Sequence, residues 1–566
     1  MSDNSIKFYR QPAMNLFEDN RLIDHFEIAE EFSSQFQGKN LAQKNSGKFY
    51  TPEEIALPLL EQAIAISELH LKKDRIRIID PFCGDGRLLR WLLPYLKDLN
   101  LNLEIHFWDY DEDAVTYAEA QIRALSKKLS FDFDLYPKKV DSFSEFFNGW
   151  ENSFDLVVTN PPWEVVKPSP KDILQIASKE MREKYIASLK IFSNRLLKDF
   201  PLSRPAKSYG GWGVNLARVG TELSIRLAKK GGVAAIVAPS TIFADQNSHD
   251  LRKWLFTENN LTNLNVYPAE LRLFANVDQP SASFVLKRDD GEKKIHIANY
   301  QSSTNPIRHS IDKVDDLLAS TEFILPLSII ANPDQLQILS SLSNLPTLGE
   351  LENRSGLWIG RELDETGYKT WISLNGKYRF LKGRDISRYG QPSNARVFVN
   401  ENTLGKKIPS SVEKRRIIWR DVSRPTQKRR IIATLIESGH ITGNSLGVLH
   451  LRESDDTKSL TALLGLISSF VFEYQLRAYL ATAHISAGVM KRVRIPVWDM
   501  DFIDRISELV EERLRGSISK ECQIEIEIAK AYGLNKIEFE AILKAFPKVT
   551  DQEKEALLNP VLWNTI

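Results

Sequence analysis

The sequence predicts an α/β protein, with a doubly wound parallel sheet in its first half and a domain of mixed type in its second. Three observations predict it. Short apolar runs alternate with amphipathic, helix-like stretches from Thr51 to Lys287. Each apolar run ends in a turn rich in Gly, Asp or Pro, as strands do where an open sheet hands over to helices. From about residue 306 the alternation stops, and short β-like pieces mix with helical ones.

The elements follow in order. Residues 1–44 are polar, lack strong periodicity and form a lead-in. Thr51-Pro52-Glu53-Glu54 opens a helix, with threonine as its cap, proline at the first helical position and acids in the first turn. Ile55, Leu59, Leu60, Ala63 and Ile64 give it an apolar stripe. Arg75–Asp80 is a short buried strand running into Pro81-Phe82-Cys83-Gly84-Asp85-Gly86, and Arg87–Leu96 is the next helix. Leu103–Trp108 (strand), Asp113–Ser126 (helix), Asp155–Thr159 (strand), Leu216–Lys229 (helix), Gly232–Ala238 (strand), Leu251–Leu255 (helix) and Ser283–Leu286 (strand) continue the series. The segment 164–214 interrupts it with Pro168, Pro170, Pro201, Pro205 and Tyr209-Gly210-Gly211-Trp212-Gly213. Long insertions just after a strand end often carry function. The expected organisation is a lead-in at 1–44, a catalytic domain at 45–300 with the insertion 164–214, a second domain at 306–500 and a helical tail at 501–566.

Length and composition bound the reading. A chain of 566 residues implies roughly two to four domains. Apolar residues at 42% and charged residues at 26% are ordinary for a globular protein with more than one core. Two cysteines, Cys83 and Cys522, exclude a disulfide framework and a cysteine-rich zinc site, and no metal centre is expected. No apolar run approaches a membrane span and Met1-Ser2-Asp3-Asn4 shows no signal pattern, so a cytoplasmic protein is expected. A net charge of +1 is uninformative, but its distribution is not. Between Glu401 and Arg430 stand Lys406, Lys407, Lys414, Arg415, Arg416, Arg420, Arg424, Lys428, Arg429 and Arg430, opposed only by Glu401, Glu413 and Asp421. Such a stretch suits a face that tracks phosphates, or simply a solvated surface.

The turn Asp80–Gly86 follows a strand and precedes a helix, and its glycines allow close backbone approach to a ligand. It is neither the dinucleotide fingerprint nor a P-loop, because its glycines are two apart and no Gly-Lys-Ser/Thr follows. About twenty residues on, the next strand ends at Trp108-Asp109-Tyr110-Asp111. Asp109 directly ends the apolar strand and is the better candidate for ribose hydroxyls, Asp111 being equally a helix cap. Tyr110 offers a face for an adenine ring. Asp141, before Ser142-Phe143, can accept from a cofactor's adenine amine or serve as a loop acid.

The most specific motif is Phe154-Asp155-Leu156-Val157-Val158-Thr159-Asn160-Pro161-Pro162-Trp163. Two prolines fix φ, remove two backbone donors and leave their carbonyls as acceptors. The Asn160 side-chain oxygen and the Pro161 carbonyl can each accept one N–H of an exocyclic amine, which favours a pyramidal nitrogen whose lone pair faces a methyl donor. Trp163 can stack on a base that has left the duplex. No covalent nucleophile is required, so the rate depends on positioning and electrostatics.

With these motifs in this order, the chain resembles the gamma-class N6-adenine DNA methyltransferases of the TaqI/Eco57I type, found in restriction–modification. Gly47-Lys48-Phe49-Tyr50-Thr51-Pro52 resembles that family's N-terminal cofactor motif, which adds Tyr50 and Thr51 to the cofactor set with Asp80, Phe82, Gly84, Gly86, Asp109, Tyr110, Asp141, Ser142 and Asn160. Asn160-Pro161-Pro162-Trp163 is similar to its catalytic tetrapeptide, with Trp163 where the family often has Tyr or Phe. Asn215-Leu216 heads the helix that the family places over the cofactor. Leu273-Phe274-Ala275 and Ser283–Lys287 resemble the motif whose aromatic packs on the target base, so the resemblance implies that Phe274 stacks opposite Trp163. It further implies a Rossmann-like class I S-adenosylmethionine-dependent methyltransferase core, a mixed α/β target-recognition domain and a helical tail. The implied cofactor is S-adenosyl-L-methionine, and the implied partners are double-stranded DNA and a separately encoded restriction endonuclease.

The second half resembles the family's specificity domain at Leu381–Tyr389 and Trp419–Arg424, and Lys491–Val497 resembles its closing strand. Lys382, Arg384, Arg388, Arg420, Arg424, Lys428, Arg429 and Arg430 are the expected DNA contacts, with Asn444 and Ser445 able to reach bases or to close a turn. The alternatives are a methyltransferase acting on RNA or a protein amide, methylation of cytosine at N4, and a combined nuclease–methylase. For the last, Asp289-Asp290 and Glu292-Lys293-Lys294 read better as a solvated turn. Methylation at cytosine carbon needs a cysteine nucleophile, and Cys83 sits in the glycine turn while Cys522 lies in the tail.

Overall fold

The computed structural model describes residues 50–564, apart from 73, 98, 100, 170–172, 175, 177, 206–211, 275–278, 290, 292, 301, 303–304, 313–324, 326–332, 364–371, 393–396, 400–409, 425–426, 453–455 and 481–482. The lead-in 1–44, the triplet Gly47-Lys48-Phe49, Tyr209-Gly210-Gly211, Ala275, Asp290, Glu292, Arg396, Glu401, Lys406 and Lys407 lie outside the described residues. The chain divides into two compact units, 1–324 and 325–566.

The first unit opens with α1 (Glu53–Ser67), β1 (Ile76–Asp80), α2 (Arg87–Lys97), β2 (Leu103–Asp109), α3 (Glu112–Leu129), β3 (Asp134–Lys139) and the short α4 (Ser142–Glu145). After β4 (Phe154–Thr159) come α5 (Lys179–Asp199), α6 (Leu216–Leu227), β5 (Ala228–Pro239), α7 (His249–Thr257), β6 (Asn260–Tyr267), β7 (Ser281–Lys287), β8 (Ile295–Tyr300) and β9 (Pro306–Ile311). All nine strands form one sheet in the order β3-β2-β1-β4-β5-β7-β6-β8-β9. Strands β1 to β5 run parallel, as the alternation predicts. β7 does not: it inserts antiparallel between β5 and β6, because among the described residues only the single 3-10 turn Ala269–Leu271 separates it from β6, too short to return the chain for a parallel crossover. A parallel core closed by one inserted antiparallel strand is the class I S-adenosylmethionine-dependent methyltransferase fold. Strands β8 and β9 extend the same sheet, so the first unit runs beyond the expected limit at 300.

Burial explains the apolar runs. β2 and β4 are buried along their whole length, as strands covered on both faces must be. Ile55, Leu59 and Leu60 of α1, Leu89, Leu92 and Leu93 of α2 and Ala118 and Ile122 of α3 pack against Ile78, Ile105, Leu156 and Val158 of the sheet. The insertion 164–214 is a closed excursion: Val165 and Asn215 pair as an antiparallel bridge, and Val166 N donates to Val214 O at 2.8 Å. Its main element is α5, capped by Ser178.

The second unit contains α8 (Pro333–Ser341), α9 (Leu348–Ser355), β10 (Leu357–Gly360), β11 (Ile372–Ser373), β12 (Tyr378–Leu381), β13 (Phe398–Val399) and β14 (Arg416–Arg420). It continues with β15 (Ala433–Ile436), β16 (His440–Thr442), β17 (Leu446–Leu451), α10 (Thr457–Ser468), α11 (Phe470–Tyr479), α12 (Ala487–Met490), α13 (Met500–Leu514), α14 (Lys520–Ala531), α15 (Lys536–Lys544), α16 (Asp551–Leu557) and α17 (Pro560–Asn564). Two four-stranded sheets form, β10-β17-β14-β15 and β11-β13-β12-β16. One expectation needs correction. Lys491–Val497 is not a strand, since only Arg494 makes a bridge, to Thr347. The described residues from 501 on are helical, and they join the unit's core: α14 supplies Glu525 to the interior and Phe546 packs 4.8 Å from Phe470. No single helix among the described residues is long and apolar enough to cross a membrane.

A buried ion network holds this unit together. Arg429 lies 2.9 Å from Glu473 and 3.2 Å from Glu525, with its guanidinium 3.8 Å over the Phe470 ring. Arg388 pairs with Glu521 and Glu525, and Arg477 with Glu473. Burial alone would raise the Glu473 carboxyl, but Arg429 and Arg477 hold it below its usual range. Glu473 also accepts from the backbone N–H groups of Arg430 and Ile431. Removing one member of such a network strands the others without compensation. Glu473→Ala is therefore expected to destabilise the second unit by about 3–5 kcal/mol, read as a lowered denaturant midpoint in chemical unfolding. A loss below about 1 kcal/mol, the level of a surface pair, would contradict this role.

Candidate cofactor and target-base site

The site assembles where the order of the parallel strands reverses, at the C-terminal ends of β1 and β4, the place where open α/β sheets bind ligands. Asp80 ends β1 and is 1% exposed. Its Oδ1 accepts from Thr159 Oγ1 at 2.7 Å and from Phe82 N at 3.1 Å. The first bond fastens the glycine turn to the last residue before Asn160. Burial pushes the Asp80 carboxyl up to about 7, although both hydrogen bonds act the other way.

Gly84 and Gly86 both have positive φ, 51° and 72°, conformations that other residues reach only with strain. A Cβ on Gly84 would meet only Tyr50 Cε1, at 3.7 Å, so the turn is open on that side. A Cβ on Gly86 would stand 2.8 Å from Ala118 Cβ, so this glycine lets the turn pack against α3. Gly84 N donates to Asp109 Oδ2 at 2.9 Å, and Asp111 N donates to Oδ1 at 3.0 Å. Asp111 is the cap of α3, accepting from Asp113 N and Ala114 N, and this leaves Asp109 as the acid facing the turn. Tyr110 follows it, half-buried.

Ser142 Oγ donates to the Pro81 carbonyl and so ties the third strand's end to the same turn. Asp141 caps α4 through Phe143 N at 3.2 Å, accepts from Ser144 Oγ at 2.7 Å and lies 3.1 Å from Arg195 Nη2. Phe82 packs against Phe143 at 5.3 Å, and Phe143 against Phe200 at 6.0 Å. Arg195 and Phe200 belong to or adjoin α5, so the insertion buttresses the end of the third strand beside the glycine turn. No motif marks Arg195, and only the fold shows its contact.

Thr51 corrects an expectation. Helix α1 has Pro52 in its capping position with no side-chain cap. The Thr51 hydroxyl instead accepts from Asn160 Nδ2 at 3.1 Å, a contact 109 positions apart in sequence. Thr51 is buried and its carbonyl accepts from Arg87, whose guanidinium lies 4.4 Å from the Tyr50 ring centroid. With its Nδ2 committed to Thr51, Asn160 has its amide orientation set. Pro161 is seated by Gly220 of α6, where a Cβ would fall 2.5 Å from Pro161 Cβ. Pro161 and Pro162 are buried and Trp163 is half-buried.

Trp163 and Phe274 do meet, with ring centroids 4.8 Å apart at 61°. The pair is edge-to-face, so a base can stack between them only after the rings part. Trp163 Nε1 is buried and has no hydrogen-bond partner among the described residues. Such a donor is costly to leave buried unless a ligand meets it.

The electrostatics favour a cation at the turn. Burial raises the Tyr50 hydroxyl and the Cys83 thiol, and the acids beside them, Asp85 and Asp109, raise both further. Arg87, paired with Asp85, acts the other way on Tyr50, so Asp109 is the acid at the turn that suits a sulfonium or an ammonium group. Cys83 is thereby kept a thiol, hydrogen-bonded to Gly84 O.

The expected DNA contacts separate into two groups. Arg384 and Arg424 are exposed. Lys382 is half-buried beside the Phe380 ring, and Arg420 Nη2 donates to Ile386 O at 2.6 Å, which joins the two segments expected to form the specificity domain. Arg388 and Arg429 are spent on the Glu473–Glu521–Glu525 network, Arg430 is buried and Lys428 pairs with Glu553. Neutralising buried acids, not tracking phosphates, is what Arg388 and Arg429 do in this fold. Ser445 Oγ accepts from Gly383 N, so it closes a turn.

Comparison with known proteins adds to this geometry. Residues 27–183 match the family model described as N-6 DNA Methylase. The chain is 24% identical over 284 residues to the Type I restriction enzyme MpnII methylase subunit of Mycoplasma pneumoniae, a match covering 49% of this chain. It spans 46%, about half, of that relative's length. A type I restriction-modification methyltransferase subunit from Streptococcus thermophilus shares 20% identity over 48% of this chain and 51% of its own, with a TM-score of 0.33. The type IIL restriction-modification enzyme MmeI in complex with DNA shares 12% identity over 95% of this chain and 78% of its own, with a TM-score of 0.49. The family match and the Mycoplasma relative support the resemblance to N6-adenine DNA methyltransferases of restriction–modification type. The fold and the family match imply S-adenosylmethionine as cofactor, and the acidic, glycine-lined turn fits it.

Asp80 and Glu222 give the unit a pH signature. Both carboxyls are pushed up by burial to about 7, from ordinary values of 3.8 and 4.5. The native state therefore binds more protons than the unfolded chain between those limits, and stability falls as pH rises through them. Urea midpoints measured from pH 5 to pH 8 are expected to decline, and Asp80→Asn, which keeps an acceptor for Thr159, is expected to flatten part of that slope. An unchanged slope would show that Asp80 is ionised throughout.

Proposed function

We propose that the chain is a site-specific DNA methyltransferase that moves a methyl group from S-adenosylmethionine to the N6 amine of an adenine flipped out of duplex DNA, as the modification component of a restriction–modification system. The observation that carries this reading is the Thr51–Asn160 hydrogen bond beside the Asp80–Thr159 link, which sets the catalytic amide against the cofactor turn. When bound, S-adenosylmethionine supplies an electrophilic methyl group.

The chain's residues do the rest. With Nδ2 committed to Thr51, the Asn160 carbonyl oxygen is presented to one N–H of the amine, and the Pro161 carbonyl to the other. Accepting both withdraws the nitrogen lone pair from the ring and aims it. Trp163 and Phe274 separate to take the base between them, exchanging their mutual contact for two stacking faces. Asp109 orients the cofactor's ribose and Asp141, braced by Arg195, its adenine. A cleaving partner encoded separately, and a cytoplasmic setting, belong to the same proposal.

The test is methylation of duplex DNA, RNA and protein with labelled cofactor, followed by mass spectrometry of the modified nucleosides. N6-methyladenine in DNA is expected. Label in RNA or protein alone, or N4-methylcytosine, would overturn the assignment. Asn160→Ala is expected to lower kcat by about a hundred- to a thousandfold, the usual effect of deleting one preorganised polar group. Thr51→Val is expected to lower kcat by about tenfold or more, as one lost orienting hydrogen bond does, and Thr51→Ser to restore most of it. Equal activity of Thr51→Val and wild type in single-turnover assays would refute the positioning role.

A further inference from the structure

Asp421 in the second unit is 1% exposed, yet both of its oxygens are committed to side chains that reach solvent. Arg361 Nη2 donates to Oδ1 at 2.6 Å, and His484 Nδ1 bonds Oδ2 at 2.7 Å. The Arg361 side chain is 44% exposed and that of His484 is 59%. Three separate segments are held to bring them together. Arg361 directly follows β10, and its neighbour Glu362 is fully buried, 2.8 Å from Arg416 Nε, accepting from Thr442 N, Thr442 Oγ1 and Ser411 Oγ. Asp421 directly follows β14. His484 is bridged antiparallel to Val422, with Ile485 N donating to Asp421 O at 2.6 Å and Ser423 N to Ala483 O at 2.9 Å. Trp419 Nε1 fixes the same segment through Ile485 O at 2.8 Å.

A buried carboxylate repays its desolvation poorly when its partners lie in water, so stability alone does not account for the arrangement. What it achieves is orientation. One hydrogen bond through Nη2 tethers the Arg361 guanidinium beside the His484 ring, which, bonded through Nδ1, turns Nε2 away from Asp421. An arginine fork clasps a phosphate as well as a base edge, but paired with an imidazole it suits a base edge: the fork matches O6 and N7 of guanine, and imidazole Nε2 matches an exocyclic amine. Val422 lies between them in sequence, 48% exposed, and offers an apolar contact such as a thymine methyl takes.

We propose that Arg361 and His484, oriented by Asp421, read a base-pair edge in the major groove of the target DNA. Arg361 is assigned to guanine, and Asp421 is a positioning residue that touches no DNA. The inference rests on duplex DNA being the substrate. The test maps methylated adenines by single-molecule sequencing of a plasmid library with randomised sequence, modified by the full-length wild type, Arg361→Ala, Arg361→Lys, His484→Ala and Asp421→Asn. Arg361→Ala is expected to broaden recognition at one guanine position, with discrimination there falling about tenfold or more, the worth of a bidentate pair. Arg361→Lys is expected not to restore it, and Asp421→Asn to broaden the same position. His484→Ala, at an exposed site that tolerates truncation, is expected to broaden that position or the adjoining one. Uniform weakening on every sequence with a shallower salt dependence would make Arg361 a phosphate contact and overturn the inference. So would an unchanged recognition sequence in both Arg361→Ala and His484→Ala. If the wild type methylates no DNA, the functional reading itself fails and this inference falls with it.

Discussion

The hydrogen bond from Thr159 Oγ1 to the buried Asp80 carboxyl is the contact that joins the two turns of the candidate site in the first unit. It crosses the point where the strand order reverses, with β2 on one side of β1 and β4 on the other. Helices leaving β1 and β4 diverge there and open a crevice. On the proposed reading, the turns on its two lips serve methyl transfer only if their relative position is rigid, because misplacement by an ångström costs orders of magnitude in rate. Burying a carboxyl to make that link has a cost, visible in the Asp80 carboxyl being pushed up to about 7, which disfavours its charged form.

Around that link the site uses short, sequence-distant ties. Thr51 orients Asn160, Ser142 holds Pro81, Gly84 N meets Asp109, and Arg195 reaches Asp141 from the insertion. Each joins a different strand end to the same crevice. The base-facing side is built differently, from two aromatic rings in mutual contact. Aromatic contacts reform at modest cost, whereas buried hydrogen bonds do not. On the proposed reading the rigid side suits the cofactor, and the aromatic side suits a base arriving from a duplex.

The second unit spends its charge in two ways. Arg388, Arg429 and Arg477 neutralise Glu473, Glu521 and Glu525 in the interior, where packed helices and apolar rings surround them. Asp421 does the reverse, a buried acid serving exposed donors. A count of basic residues between Glu401 and Arg430 cannot tell these uses apart, since a charge shows its role only once its neighbours are known.

What the sequence by itself determined is the order of chemistry along the chain. Strands whose apolar runs end in Asp80–Gly86, Asp109 and Asn160–Trp163 are written locally, because strand burial, turn glycines and prolines impose their geometry within a few residues. That Asp109 faces the glycine turn while Asp111 caps α3 was legible for the same reason: one ends the strand and the other heads the helix. The tertiary structure alone decided the antiparallel course of β7, the use of the Thr51 hydroxyl on Asn160 in place of a helix cap, the bracing of Asp141 by Arg195, and which arginines face water. All of these join residues far apart in sequence, and a side chain's hydrogen-bond partner across such a distance follows from packing, which no local pattern encodes.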